Sequence, residues 1–190
     1  MAESTEKIMA AAIELLAERG YEATTTGAIA KRAGFARSMV NSRFGDKAGL
    51  LAAMFETHWI NELLGLEIEA DSGLNALLGI IERLRRFVAN EPVRLRAFLV
   101  VSFEAAGPSS IPSDQITGPL DTLKTAVERA LLRGQADGSV VELQDVSFHA
   151  ERIIDIALGM VYRWVVDPDG YQLQDRLRRW RQECAEVYGA

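Results

Sequence analysis

The chain has almost none of the residues that staple or metallate a small protein. Its 190 residues include one cysteine, Cys184, and two histidines, His58 and His149, far apart in sequence. A lone cysteine excludes an internal disulfide and a multi-cysteine metal cluster, and two distant histidines leave a structural zinc ion almost without ligands. No metal and no other cofactor is expected. Long apolar runs are missing too, and none approaches the ~18 residues that a membrane span needs. The opening stretch MAESTEKIMAAAIELLAERG sets Glu3, Glu6 and Glu14 among its apolar positions, so a secretory leader is not expected and a cytoplasmic location is. Also absent are a glycine-rich phosphate loop, a nucleophile motif and any carboxylate or histidine cluster at metal-ligand spacing, which speaks against an enzyme.

Apolar residues make up 48% of the chain and charged residues 25%, the balance of a soluble globular protein long enough to bury a core. That length suits one domain, or a small domain joined to a larger one. The charge is unevenly spread. The whole chain is net −6, yet residues 1–50 hold seven Lys or Arg against six acids, and the remaining 140 hold fourteen against twenty-one. Between Thr24 and Leu51, TTTGAIAKRAGFARSMVNSRFGDKAGLL, five cations (Lys31, Arg32, Arg37, Arg43 and Lys47) meet one acid, Asp46, for a net of +4. A basic island in an acidic chain is what a reader of duplex DNA needs: positive charge where phosphates lie, and little elsewhere.

Apolar residues recur at helical spacing almost throughout, with no sustained strand-like alternation. A first helix is predicted from about Thr5 to Arg19, with Ile8, Ala12, Leu15 and Leu16 on one face and Gly20 as its stop. Thr24 or Thr25 can cap a second helix whose Ile29, Ala30 and Ala33 face inward. A tight turn at Gly34 leads to a third, Arg37 to Phe44, anchored by Val40 and Phe44. Asp46 can cap a long fourth helix from Lys47 to about Glu69. Greasier helices follow, marked by Leu74 to Val88, by Val93 to Ala106 and by Leu120 to Asp137, with the segment 107–118 as the clearest loop. From Val146, the positions Ala150, Ile153, Ala157, Met160 and Trp164 recur in a 4-3-4 pattern, and Gly159 would permit a close helix approach. After Asp167-Pro168-Asp169-Gly170, a strict seam of Leu173, Leu177, Trp180, Cys184 and Val187 closes the chain. These last two helices are expected to close a homodimer as a four-helix bundle, with Ile153, Ala157, Met160, Trp164, Leu173, Leu177, Trp180 and Cys184 at its interface.

At this point the residues match a family. ERGYEATTTGAIAKRAGFARSMVNSRFGDKAGLL resembles the N-terminal signature of TetR-type transcriptional repressors, and ALGMVYRWVVDPDGYQL resembles the start of the paired dimerisation helices in many members. The resemblance implies an all-α fold: a three-helix DNA-binding domain of helix-turn-helix type over residues 1–50, and a larger helical domain for ligand binding and dimerisation over residues 51–190. It also implies roles. Thr25 and Thr26 match phosphate-binding positions at a helix N-terminus, where free N–H groups and the dipole favour an anion. Arg37 and Met39 match base-reading positions in the major groove, Ser38 allows close approach, and Lys47 matches a phosphate-contacting lysine. The chain departs from the family at Ala36, where a capping Ser is usual, at Asn41, where a phosphate-binding Tyr is usual, and at Arg43, where His or Tyr is usual. Arg43 adds charge that offsets the change at Asn41.

The function expected is a repressor that binds an inverted-repeat operator as a dimer and is released by a small-molecule effector, unidentified from sequence. Its partners are double-stranded DNA, that effector and a second copy of the chain, with no membrane. The alternative is a helical protein that binds a small molecule or partner and whose DNA-binding module has degenerated. A ligand pocket is expected between the helices from Lys47 to Asp137 and the helix from Val146, with Glu104, His149, Tyr162 and Arg163 as orienting groups and Trp59, Phe98, Phe103 and Trp164 as apolar lining. For each of these alone, a plain core or surface role competes. Arg176, Arg178, Arg179 and Arg181 are expected to solvate an outer face, and Cys184 to act as a small buried hydrophobe.

Overall fold

Helix caps and glycine stops divide the chain into short rods. The computed structural model describes residues 2–54 and 70–190. Among these, the regular elements are α1 (Ala2–Arg19), α2 (Thr26–Ala33), α3 (Arg37–Phe44), α4 (Lys47–Met54), α5 (Gly73–Asn90), α6 (Pro92–Ala105), α7 (Asp114–Asp137), α8 (Val146–Val166) and α9 (Leu173–Tyr188). The β pairing among them is one isolated antiparallel bridge, Val140 to Gly189. The architecture is all-α, as the periodicity predicts.

The caps follow the sequence closely. Asp46 accepts from the Gly49 amide at 2.8 Å at the head of α4, and Asp145 accepts from Phe148 at 2.9 Å at the head of α8. Each satisfies one of the amides that a helix start leaves without a partner. Pro92 opens α6 as its first residue, where the missing N–H costs nothing. Two boundaries differ from expectation. α1 starts at Ala2 rather than Thr5, and the predicted loop 107–118 ends early because Ser113 O accepts from Ile116 and Thr117 and starts α7 at Asp114. Of the predicted long fourth helix, Lys47–Met54 is described, and its remainder lies outside the described residues.

The chain divides into two compact units, each with its own core. The first gathers α1 to α4, α6 and the loop that follows it as far as Pro119. Its centre is α1, which packs on both α2 and α6 and buries Ile8, Ala12, Leu15 and Leu16. Ile29, Ala30, Val40, Leu50 and Leu51 meet it from α2, α3 and α4, and Leu95, Phe98 and Leu99 from α6. The second unit holds α5, α7 from Leu120, α8 and α9. There α9 packs along α5, and the start of α5 crosses α7 so closely that a Cβ on Gly73 would strike the backbone of Gly134. The crossing is capped: Gly73 and Leu74 donate to Asp137 Oδ2 (2.8 Å) and Ser139 Oγ (3.1 Å). The Ser139 hydroxyl and the Gly73 amide hold the Asp137 carboxyl below its usual range.

Candidate nucleic-acid interface

The α2–turn–α3 segment begins at a cap. Thr25 is extended, and its Oγ1 accepts from the Ala28 amide at 3.1 Å, which starts α2. Gly34 ends it at φ 78°, a conformation that a side chain disfavours, while Phe35 N returns to Ala30 O at 2.9 Å. α3 leaves this turn with Val40 as its buried residue, so Arg37, Ser38, Met39, Asn41 and Ser42 are all exposed. Phe44, predicted as a second anchor, is half-buried. Ala36 offers no side-chain cap, as the sequence implies, so the first amides of α3 have no side-chain acceptor. The Arg37 stem runs past the head of α2, its Cδ within van der Waals distance of where a Cβ on Gly27 would stand.

Three of the other basic residues, Arg32, Arg43 and Lys47, are tied to their own unit. Arg32 donates to Glu14 at 3.1 Å and to both oxygens of Glu18 at 2.8 and 2.9 Å, which holds the Glu18 carboxyl below its usual range. Arg43 turns back to α1 and donates to Ser4 Oγ (2.7 Å) and Thr5 Oγ1 (2.6 Å). Lys47 Nζ donates to Tyr21 O at 2.7 Å and sits 3.9 Å from the centre of the Tyr21 ring. Thr26, expected beside Thr25 against a phosphate, is 8% exposed, so its side chain faces the core. What the head of α2 presents outward is Thr25 and backbone amide. The surface is therefore a short polar helix on a rigid base, flanked by a helix N-terminus and a fixed lysine.

Residues 8–54, which span this surface, match the model described as bacterial regulatory proteins of the tetR family. Over these residues the chain is similar to that family's DNA-binding module. Its relatives include ArpR, a probable HTH-type transcriptional regulator of Pseudomonas putida, 28% identical over 94% of this chain and 88% of its own. TtgR, an HTH-type transcriptional regulator also of Pseudomonas putida, is 26% identical over the same shares. A solved SmeT–triclosan complex superposes with a TM-score of 0.84 at 22% identity, over 99% of this chain and 92% of that one. At that identity the likeness is one of fold. The protein is a DNA-binding transcriptional regulator of helix-turn-helix type, and the relatives it matches are transcriptional regulators.

The predicted ligand groups are divided between the two units of the regulator. Phe98 is buried in the core of the first unit, and Phe103 is 56% exposed on α6. Glu104 reaches the turn after α1, where its carboxylate accepts from the Tyr21 amide. In the second unit, His149 is half-buried with Nδ1 3.3 Å from the Tyr188 hydroxyl. Tyr162 is exposed, and Arg163 stacks on the Tyr171 ring at 4.7 Å, beside Arg176 at 4.5 Å. Trp59 lies outside the described residues.

The predicted dimer seam is corrected in part. Leu173, Leu177, Trp180 and Cys184 are 2%, 0%, 7% and 3% exposed in the single chain. α9 lays this seam along α5, so these four belong to the regulator's own core and not to a partner. Ile153 and Ala157 are likewise buried, while Met160 and Trp164 are half-exposed. The face of α8 turned to solvent carries Ile156, Gly159, Tyr162, Arg163 and Val166, and on α9 Val187 is exposed. Tyr21 and the Glu104 contact were not anticipated from sequence. The signal available was a single acid closing the apolar run AFLVVSFEA.

Proposed function

We propose that the regulator represses transcription as a homodimer, that it binds double-stranded DNA at an inverted repeat, and that a small-molecule effector releases it. DNA reading is assigned to residues 1–50, effector binding and dimerisation to residues 51–190, and the site of action to the cytoplasm. The observation that carries this reading is α3, a helix with one buried residue whose Arg37, Ser38, Met39, Asn41 and Ser42 all stand exposed. In the major groove Arg37 would donate twice to guanine O6 and N7, Met39 would touch a thymine methyl, and Ser38 leaves room for close approach. Thr25 with the first amides of α2, Asn41 and Lys47 would meet phosphates on either side. Arg43, turned toward Ser4 and Thr5, supports α3 from behind.

Two such helices read half-sites about one turn of DNA apart, which needs a dimer. The solvent-facing flank of α8, with Ile156, Tyr162 and Val166 around the open Gly159, is the proposed self-complementary face. An effector bound in residues 51–190 releases DNA only through its preference for the dimer whose recognition helices are wrongly spaced. The likeness to a fold that holds triclosan supports a small, largely apolar effector, with triclosan as the first probe.

The test is to incubate the purified protein with sheared DNA of its own genome at near-physiological salt and to sequence what is retained. A few sharp peaks over an inverted repeat are expected. Arg37→Ala should weaken binding to that repeat by about 1–3 kcal/mol and relax the base preference at one position. Flat retention that fades with salt, unchanged by Arg37→Ala, would mean that the surface holds phosphates without reading bases, and the reading would fail.

A further inference from the structure

We propose that Glu104 is a positioning residue for DNA binding: it fixes Tyr21, and Tyr21 holds Lys47 in place for a phosphate. This rests on the reading of Lys47 as a phosphate contact. The reason for the arrangement starts at Gly20. Its φ of 78° ends α1 and turns the Tyr21 amide out of the helical ladder. A half-buried amide without an acceptor is costly, and the partner it finds is a carboxylate 83 residues away, Glu104 Oε2, at the end of α6. The carboxylate lies so close over Gly20 that any Cβ there would collide with it. Position 20 is thus glycine for two separate reasons.

The other side of the Tyr21 peptide carries the function. Tyr21 O accepts from Thr24 N at 3.0 Å and from Lys47 Nζ at 2.7 Å, while the Tyr21 ring lies under the same ammonium at 3.9 Å. A free lysine loses rotamer freedom when it binds a phosphate. Here one N–H and the ring face already hold the stem, and the remaining N–H groups are pre-aimed. A second tether holds the same turn: Glu22 Oε1 accepts from the Ser110 amide and hydroxyl, both at 2.9 Å, in the loop after α6. Those two donors keep the Glu22 carboxyl below its usual range. Both ends of the Gly20–Glu22 turn are thereby set by α6 and the loop that follows it.

The test uses the full chain and a duplex cut from the genomic fragment that the wild-type protein retains most strongly, with affinity measured across a salt series. Lys47→Ala is expected to weaken binding about fivefold to tenfold and to lower the salt slope by about one per protomer. Glu104→Ala is expected to give the same loss and the same change of slope, and to add nothing in the Lys47→Ala background. Glu104→Gln, whose amide oxygen still accepts from Tyr21 N, should stay close to wild type. A Glu104→Ala loss with unchanged slope, or one equally large in the Lys47→Ala background, would show a merely structural role and overturn the proposal. So would a Glu104→Gln variant that folds, by its circular dichroism, and binds as poorly as Glu104→Ala. If Lys47→Ala is neutral while Arg37→Ala is not, the positioning role falls and the DNA-binding reading stands. If the wild-type protein binds no duplex, both fall.

Discussion

Cys184 sits 3% exposed on the inner side of α9, and burial pushes its thiol up to about 12. At pH 8 about one such thiol in ten thousand is ionised while the chain is folded. An aromatic disulfide reagent should therefore leave the native protein unlabelled for as long as it stays folded, and label one thiol per chain on adding denaturant; rapid labelling of native protein would contradict the packing. Because the folded pKa lies above the unfolded one, this thiol's contribution to stability is complete below about pH 8.5. It is lost as the pH climbs from there toward 12, at about 1.4 kcal/mol per pH unit. At this scale the sequence was legible wherever an interaction closes within one helical turn. The caps at Thr25 and Asp46 and the missing cap at Ala36 all follow from residue type and spacing. What could not be read were side chains whose partners are remote: Lys47 on Tyr21 across 26 residues, Arg43 on Ser4 and Thr5 across 39 and 38, Glu104 on Tyr21 across 83. Thr26 belongs with them, since which of two adjacent threonines faces the core depends on where α1 lies.

Helices are where hydrophobic spacing served best and where it misled once. The period that marks α9 is real, but a seam says only that a helix buries one face and not against what. Here the face meets α5, so Leu177, 0% exposed, is core. Leu177→Ala is expected to cost about 2–5 kcal/mol in denaturant unfolding, whereas Val187→Ala, one seam position removed from the core at 60% exposure, should shift the monomer's stability by less than about 0.5 kcal/mol. Equal effects would mean that α9 is rotated about its axis from the orientation described. The start of α7 shows the opposite error. GPSSIPSDQITG reads as loop from its Pro, Ser and Gly content, yet Ser113 starts a helix six residues before Pro119. Composition gave way to the ladder that Ser113 O starts at Ile116 and Thr117, and α7 carries Pro119 inside it at the loss of one ladder bond.

For the whole molecule, the uneven charge of the first 50 residues is legible in the sequence, whereas the two units are not, because α6 and the loop to Pro119 fold with α1 to α4 across a long gap in sequence. The α8 flank that carries Ile156, Tyr162 and Val166 matters only if a second chain covers it. Ile156→Glu should convert the dimer to a monomer in sedimentation equilibrium without lowering the helix content, and should cost most of the operator affinity, since half-sites would then be bound singly. A variant that sediments as wild type would place the partner elsewhere. The pairing of Arg32 with Glu14 and Glu18 has a kinetic consequence of its own. It offsets the charge of Arg32 and leaves the positive potential to Lys31, Arg37 and Lys47, within a chain whose net charge is −6. A duplex then pulls on one edge of the regulator and pushes on the rest. Inside the last ~8 Å of approach, where salt no longer screens the phosphates, that couple turns the molecule before it touches. Raising the salt thus removes alignment as well as attraction, and the association rate falls before the lifetime of the bound state does.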